Sequence, residues 1–118
     1  MPEASEPILQ ARHNESAAGI LAGEELFDWA VTALFYAALH EVQAYLIQLG
    51  SQPASHTRRE VEIGRHPEIL PILDLYRQLR THSENVRYDC RMFSADEFED
   101  IREQNYQAII RHIQGLQR

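Results

Sequence analysis

Residues 28–50 read DWAVTALFYAALHEVQAYLIQLG, and this stretch decides the fold. Together with Phe27, the residues Val31, Leu34, Phe35, Ala38, Leu39, Val42, Leu46 and Leu49 recur at three- and four-residue steps. That spacing puts them on one side of a helix. Ala30, Ala33, Ala37 and Ala44 keep the helix narrow, so neighbours can approach closely. Gly50, just past the last periodic Leu, predicts its stop. Beside the apolar face runs a polar line, Asp28, Thr32, Tyr36 and His40, each four residues after the last. At 3.6 residues per turn each such step advances about 40°, so the line spirals slowly along one flank. A polar line of this kind either borders a site or satisfies its own buried groups.

Working outward from it, Ser5 and Pro7 open a weakly patterned first helix, expected from about Pro7 to Leu21, with residues 1–6 an untethered N-terminus. The long helix is expected from about Gly23 to Leu49, with Glu24 and Glu25 in its first turn, where negative charge suits the helix dipole. After the turn cluster Gly50–Ala54, Ser55 caps a short helix from His56 to Ile63 that Gly64 ends. His66-Pro67 opens the third long helix. Its apolar line, Ile69, Ile72, Leu73, Tyr76 and Leu79, continues into Ser83 and Val86. Arg80 and Arg87 are seven residues apart, so they lie about 20° from each other and turn the end of that face cationic. In the last helix Ser94 and Glu97 have capping-box spacing, and Phe93 with Phe98 has staple spacing. Phe98, Ile101, Asn105, Ala108, Ile109, His112, Ile113 and Leu116 follow at helical steps. No alternating β-branched run appears. The pattern predicts an all-α protein: an antiparallel up-and-down four-helix bundle with one short extra helix after the second long one, in a single domain over 7–118.

The 118 residues carry a net charge of −7, which argues against a generic nucleic-acid binder. The charge is uneven. Residues 1–55 hold one Arg against seven acids, whereas residues 56–91 hold seven Arg against six acids and add His56, His66 and His82. All eleven cations are Arg, whose planar fork suits phosphate or carboxylate. The single Cys90 excludes an internal disulfide, and the acidic N-terminus lacks a signal-peptide layout, so a cytoplasmic location is expected. No apolar run of about 18 residues predicts a membrane span. The six His are scattered, with no His-x3-His, no Glu-x-x-His and no Cys cluster. No metal or other cofactor is therefore expected. Phosphate-cradling Gly loops and nucleophile elbows are missing as well.

What remains is an Arg/His/Tyr set. Such a set can cleave RNA without metal: one group removes the 2′-hydroxyl proton, Arg neutralises charge on phosphorus, and a second group protonates the leaving oxygen. One local string fits, Arg77-Gln78-Leu79-Arg80-Thr81-His82. On a straight helix, however, Arg77 and His82 are about 140° out of phase.

The residues Asp28–Thr32, Phe35–His40, Ala44–Leu46, Ser55-His56 and Val86–Asp89, in this order and spacing, resemble the HEPN superfamily of small helical bundles. The likeness runs from about Gln10 to His112. It implies an antiparallel bundle, often a dimer. Many similar proteins are metal-independent ribonucleases, toxins paired with nucleotidyltransferase-like antitoxins, or defence proteins. Others bind RNA, nucleotides or protein partners without catalysis. The signature of active members is an Arg, a polar residue and, after a short spacer, a His. Arg77, Gln78 and His82 meet that pattern, although the string normally falls where Arg80–Tyr88 lies. There the position expected to hold the His is occupied by Val86 or Arg87. The resemblance thus implies Arg77, His82, His40 and His56 as candidate catalytic groups. It implies Arg80, Arg87 and Tyr88 as candidate phosphate or ligand contacts, to which the basic start of the short helix adds Arg58 and the polar line of the long helix adds Tyr36. Binding of RNA, a nucleotide or a protein partner is the first expectation, and an endoribonuclease is the alternative.

Overall fold

The structure, a computed structural model, describes residues 5–117. Its helices are α1 (Ser5–Gly23), α2 (Phe27–Gln48), α3 (His56–Arg65) and α4 (Leu73–Asp89). Then α5 (Ala95–Ile101) and α6 (Ala108–Leu116) form one rod, joined by a π-helical turn over Arg102–Gln107. There is no strand among the described residues. α1, α2, α4 and the α5–α6 rod run alternately up and down, and α3 lies within the link from α2 to α4. This is the expected four-helix bundle, measuring 38 × 24 × 23 Å.

α2 is the axis of the core. Its Val31, Phe35, Val42 and Leu46 are fully buried against Ile63, Ile69, Tyr76, Leu79, Ile109 and Ile113. The alanines explain the close fit of α1. Ala11 and Ala18 on α1, and Ala30, Ala37 and Ala44 on α2, recur at seven-residue spacing and are all buried. Small side chains at that period let two helix backbones approach along their length. α2 is long and apolar enough to cross a membrane, but 72% of its most apolar window is buried inside the bundle. Burial of that kind is what a central core helix requires.

Helix ends follow from local chemistry. Gly50, at φ 86°, closes α2: its N–H reaches the Ile47 carbonyl at 2.9 Å, and Ser51 N–H reaches Leu46 at 2.9 Å. These are the paired bonds of a Schellman stop. Ser55 caps α3, accepting from Arg58 N–H at 3.1 Å. The Ser94–Glu97 capping box forms with both of its hydrogen bonds, 3.1 and 2.9 Å. Replacing Ser94 with Ala is expected to cost about 1 kcal/mol, read as a lower urea midpoint. An unchanged midpoint would show that α5 is held by packing alone.

Four boundaries differ from the sequence reading. α1 begins at Ser5, so residues 5 and 6 are helical, while residues 1–4 of the expected loose N-terminus lie outside the described residues. Glu24 and Glu25 do not open α2. They form the turn before it, with Glu25 at φ 62° and Leu26 N–H returning to the Leu21 carbonyl at 2.9 Å. A reversal this short needs one left-handed residue, and Glu25 takes that position. α3 continues through Gly64 to Arg65. α4 starts at Leu73 rather than at Pro67. Pro67 and Pro71 both lack an N–H, so residues 66–72 make turns and a 3-10 segment, Leu70–Ile72, instead.

The π turn also has a local cause. It brings two consecutive residues, Asn105 and Tyr106, into the interior. The Asn105 amide donates to Gln78 Oε1 at 2.9 Å and to the Leu75 carbonyl at 3.3 Å. The Tyr106 hydroxyl donates to Glu15 at 2.5 Å on the other side. One extra residue in the turn allows both neighbours to bond inward.

Candidate functional site

The polar flank of α2 meets the inner face of α3 and the end of α4. α3 is amphipathic: His56, Arg59 and Ile63 share the side toward the core. α4 contributes Tyr76, Arg80, Ser83 and Arg87 along one edge of its buried face. Between them lie Tyr36, His40 and Gln43 from α2. This assembly is the candidate site.

Arg87 is held without a carboxylate. Its Nε donates to the Ser83 carbonyl at 3.3 Å, and its Nη1 donates to the Tyr36 hydroxyl at 3.0 Å. The guanidinium carbon stands 5.6 Å from the Tyr36 ring centre and 5.1 Å from that of Tyr88. Cation–π contacts of this length orient the fork without neutralising it. Tyr88 itself is 72% exposed. Arg59 is only 8% exposed, and its Nε donates to Gln43 Oε1 at 3.0 Å. Among the described residues, neither Arg59 nor Arg87 has a carboxylate within 4.0 Å, whereas eight other arginines do. Arg80 is different. It pairs with Glu60, which also accepts from Arg77 Nε at 2.9 Å, and it lies 3.6 Å from Glu84. Those guanidiniums hold the Glu60 carboxyl below its ordinary range despite partial burial.

His56 sits among these cations. Its ring lies 5.8 Å from that of Phe35, and its Nδ1 is buried without a hydrogen-bond partner. Burial lowers its pKa, and Arg80, Arg59 and Arg87 lower it further. The imidazole is therefore neutral at pH 7. His40, one turn after Tyr36, is likewise lowered, first by burial and then by Arg59. The buried Tyr76 phenol is pushed up to about 12 and remains protonated. Its hydroxyl and that of Ser83 are buried without a partner. The arrangement can receive an anion: two uncompensated guanidiniums surround a neutral base in a partly desolvated setting, where charge interactions exceed those in water.

Arg77 and His82 do not join this cluster. Both border a shallow hollow on the outer side of α4, with Asp74, Gln78 and Thr81. The Arg77 fork turns to Glu60. The His82 ring packs edge-on against Phe93 at 5.6 Å, and burial, then Arg91, lowers its pKa. His82 follows Arg80 by two residues, or about 200° around the helix, so the two face opposite ways. Arg58 is exposed on the outer side of α3, 3.7 Å from Glu62. The structure thus brings together Tyr36, His40, His56, Arg80, Arg87 and Tyr88, separates Arg58 and His82 from them, and ties Arg77 to them only through Glu60. It adds Arg59, Gln43, Glu60, Tyr76 and Ser83. The signal for Arg59 over Arg58 is its three- and four-residue spacing to His56 and Ile63. The Asp28 backbone carbonyl accepts from the Thr32 hydroxyl at 3.3 Å. Of the larger aromatics, Tyr45 and Tyr106 are buried and Trp29 is 50% exposed.

The three lowered histidines set a pH dependence. Unfolded imidazoles take up protons near pH 6.5, before the folded ones do. Their contribution to stability is complete above about that pH, and it is lost as pH falls toward the lower folded pKa values. The urea midpoint should drop between pH 7 and pH 5, and drop less in His56→Gln. Equal slopes in the two proteins would remove His56 from this account.

Among the described residues no cluster of three or more His, Cys, Asp and Glu is arranged to hold a metal ion. No curated protein and no solved structure matches the sequence. The HEPN domain family matches residues 4–114 of the 118, nearly the whole bundle with the cluster inside it, and the chain belongs to that family.

Proposed function

We propose that this HEPN protein binds RNA or a nucleotide through the cluster between α2, α3 and α4, without cleaving it. The supporting observation is the pair Arg59 and Arg87, two guanidiniums with no carboxylate partner, beside the neutral His56. Tyr88 adds an exposed ring next to Arg87, a surface on which a base can stack. The net charge of −7 confines nucleic acid to the places where arginines gather. Anisotropy of a labelled oligonucleotide in EDTA tests this: saturable binding with intact RNA is expected. The absence of binding by either RNA or mononucleotides would refute it, leaving a protein partner as the ligand of the same surface.

One observation favours a second reading, a metal-independent endoribonuclease. A neutral imidazole within reach of guanidinium charge can serve as general base. In that reading His56, rather than His82, removes the proton, and Arg87 and Arg80 stabilise the phosphorane charge. RNA cut in EDTA by the wild type and spared by His56→Ala would replace the first reading with this one. A homodimer, with Trp29 as its exposed aromatic, and a nucleotidyltransferase-like antitoxin belong to the same proposal. Sedimentation tests the first of these, and co-purification with the product of an adjacent gene tests the second.

A further inference from the structure

The corner where the Gly50–Ala54 turn meets α3 holds a second cationic hollow. It is bordered by Ser51, Pro53, Arg58, Glu62, Arg65 and His66, among others. Arg58, Arg65 and His66 all lean on the Glu62 carboxylate, at 3.7, 3.5 and 3.7 Å, and His66 also stands 3.9 Å from Glu68. Glu62, shared between two arginines at these distances, leaves both forks short of hydrogen bonds. Arg58 and Arg65 are seven residues apart, so they stand about 20° from each other and about 10 Å along α3. The hollow is also tied to the central cluster. Gln43 donates to the Pro53 carbonyl at 3.2 Å and accepts from Arg59 Nε at 3.0 Å. One side chain thus positions both the wall of the hollow and the buried guanidinium of the site.

We infer that this hollow is a second phosphate subsite for the ligand of the central cluster. The ligand is then a single-stranded RNA long enough to lay one phosphate at Arg87 and another between Arg58 and Arg65. The inference rests on the binding reading above, and it goes further by excluding a mononucleotide as the full ligand. Arg58 stands on the outer side of α3, whereas Arg87 bonds Tyr36 on the inner side, so one phosphate does not touch both places.

The test uses the whole protein in EDTA with uridine monophosphate and oligouridylates of increasing length. Affinity should rise with length until both places are filled, then level off. Replacing Arg58 and Arg65 together with Ser should weaken the long oligomers about tenfold and leave uridine monophosphate unchanged. The dependence of log affinity on log salt should flatten by about 0.7 for each phosphate contact removed. Both side chains are exposed, so circular dichroism should show an unaltered fold. Length-independent affinity, or long oligomers that ignore the double substitution, would overturn the subsite while leaving the central cluster standing. An acidic peptide that occupies the hollow without competing with oligouridylate would also overturn it. No binding of any probe, mononucleotide included, would instead refute the central reading.

Discussion

Replacing Arg87 with Ala should lower affinity for RNA or nucleotide about ten- to a hundredfold. The guanidinium donates to no carboxylate and is held by the Tyr36 hydroxyl, the Ser83 carbonyl and two tyrosine rings. A charge-assisted hydrogen bond is worth about 1.5–3 kcal/mol, and about 1.4 kcal/mol is a factor of ten in affinity. The fold should tolerate the change, because this side chain lies at a half-buried edge, where cation–π pairs contribute about 0.5–1 kcal/mol. Arg87→Lys separates charge from geometry. Lys keeps the charge but lacks the planar fork, so it should restore only part of the affinity. Titration of a labelled oligonucleotide, with thermal melts of each variant, reads both effects. An Arg87→Ala protein that melts normally and binds as the wild type does would leave the cluster a structural network.

The largest effect on stability is expected at Phe35. Its ring is fully buried and lies 5.2 Å from Tyr36, 5.8 Å from His56 and 5.7 Å from Tyr76. Phe35→Ala removes a large core side chain where helices from three parts of the chain meet. Such truncations cost about 3–5 kcal/mol, a large share of the roughly 5–15 kcal/mol that holds a domain folded. Urea denaturation should show the midpoint falling accordingly. Phe35→Leu fills most of the space and should cost clearly less. The same ring is the apolar wall behind His56, so Phe35→Leu should also loosen the imidazole and let its pKa rise toward 6.5, visible in its proton resonances. A loss below about 1 kcal/mol in Phe35→Ala would mean that the core closes over the gap, against the packing described here.

The amino-acid sequence by itself determined the bundle. Three- and four-residue periodicity along residues 27–49 marks a helix buried on most of its circumference, and alanines at seven-residue spacing set how near α1 can lie. Gly50, Ser55, Ser94 and Glu97 mark ends, because each acts on backbone groups only a few residues away. Those signals are local, and local chemistry is legible in a string of residues. The boundaries that differed depend on more than one segment: Glu25 turns left-handed to dock α1 on α2, and the π turn exists because Asn105 and Tyr106 answer to α4 and α1 at once. The candidate site has the same character. Arg80, Arg87, Tyr36, His40 and His56 were legible as types on suitable faces. Which of them meet was decided by tertiary structure, because partners separated by up to 51 residues in the chain, such as Tyr36 and Arg87, are adjacent only after packing. Packing also turned His82 toward Phe93, gave Arg77 and Arg80 to Glu60, and put Arg59 rather than Arg58 beside the imidazole. A guanidinium's role depends on whether a carboxylate reaches it first, and that is a property of the folded neighbourhood.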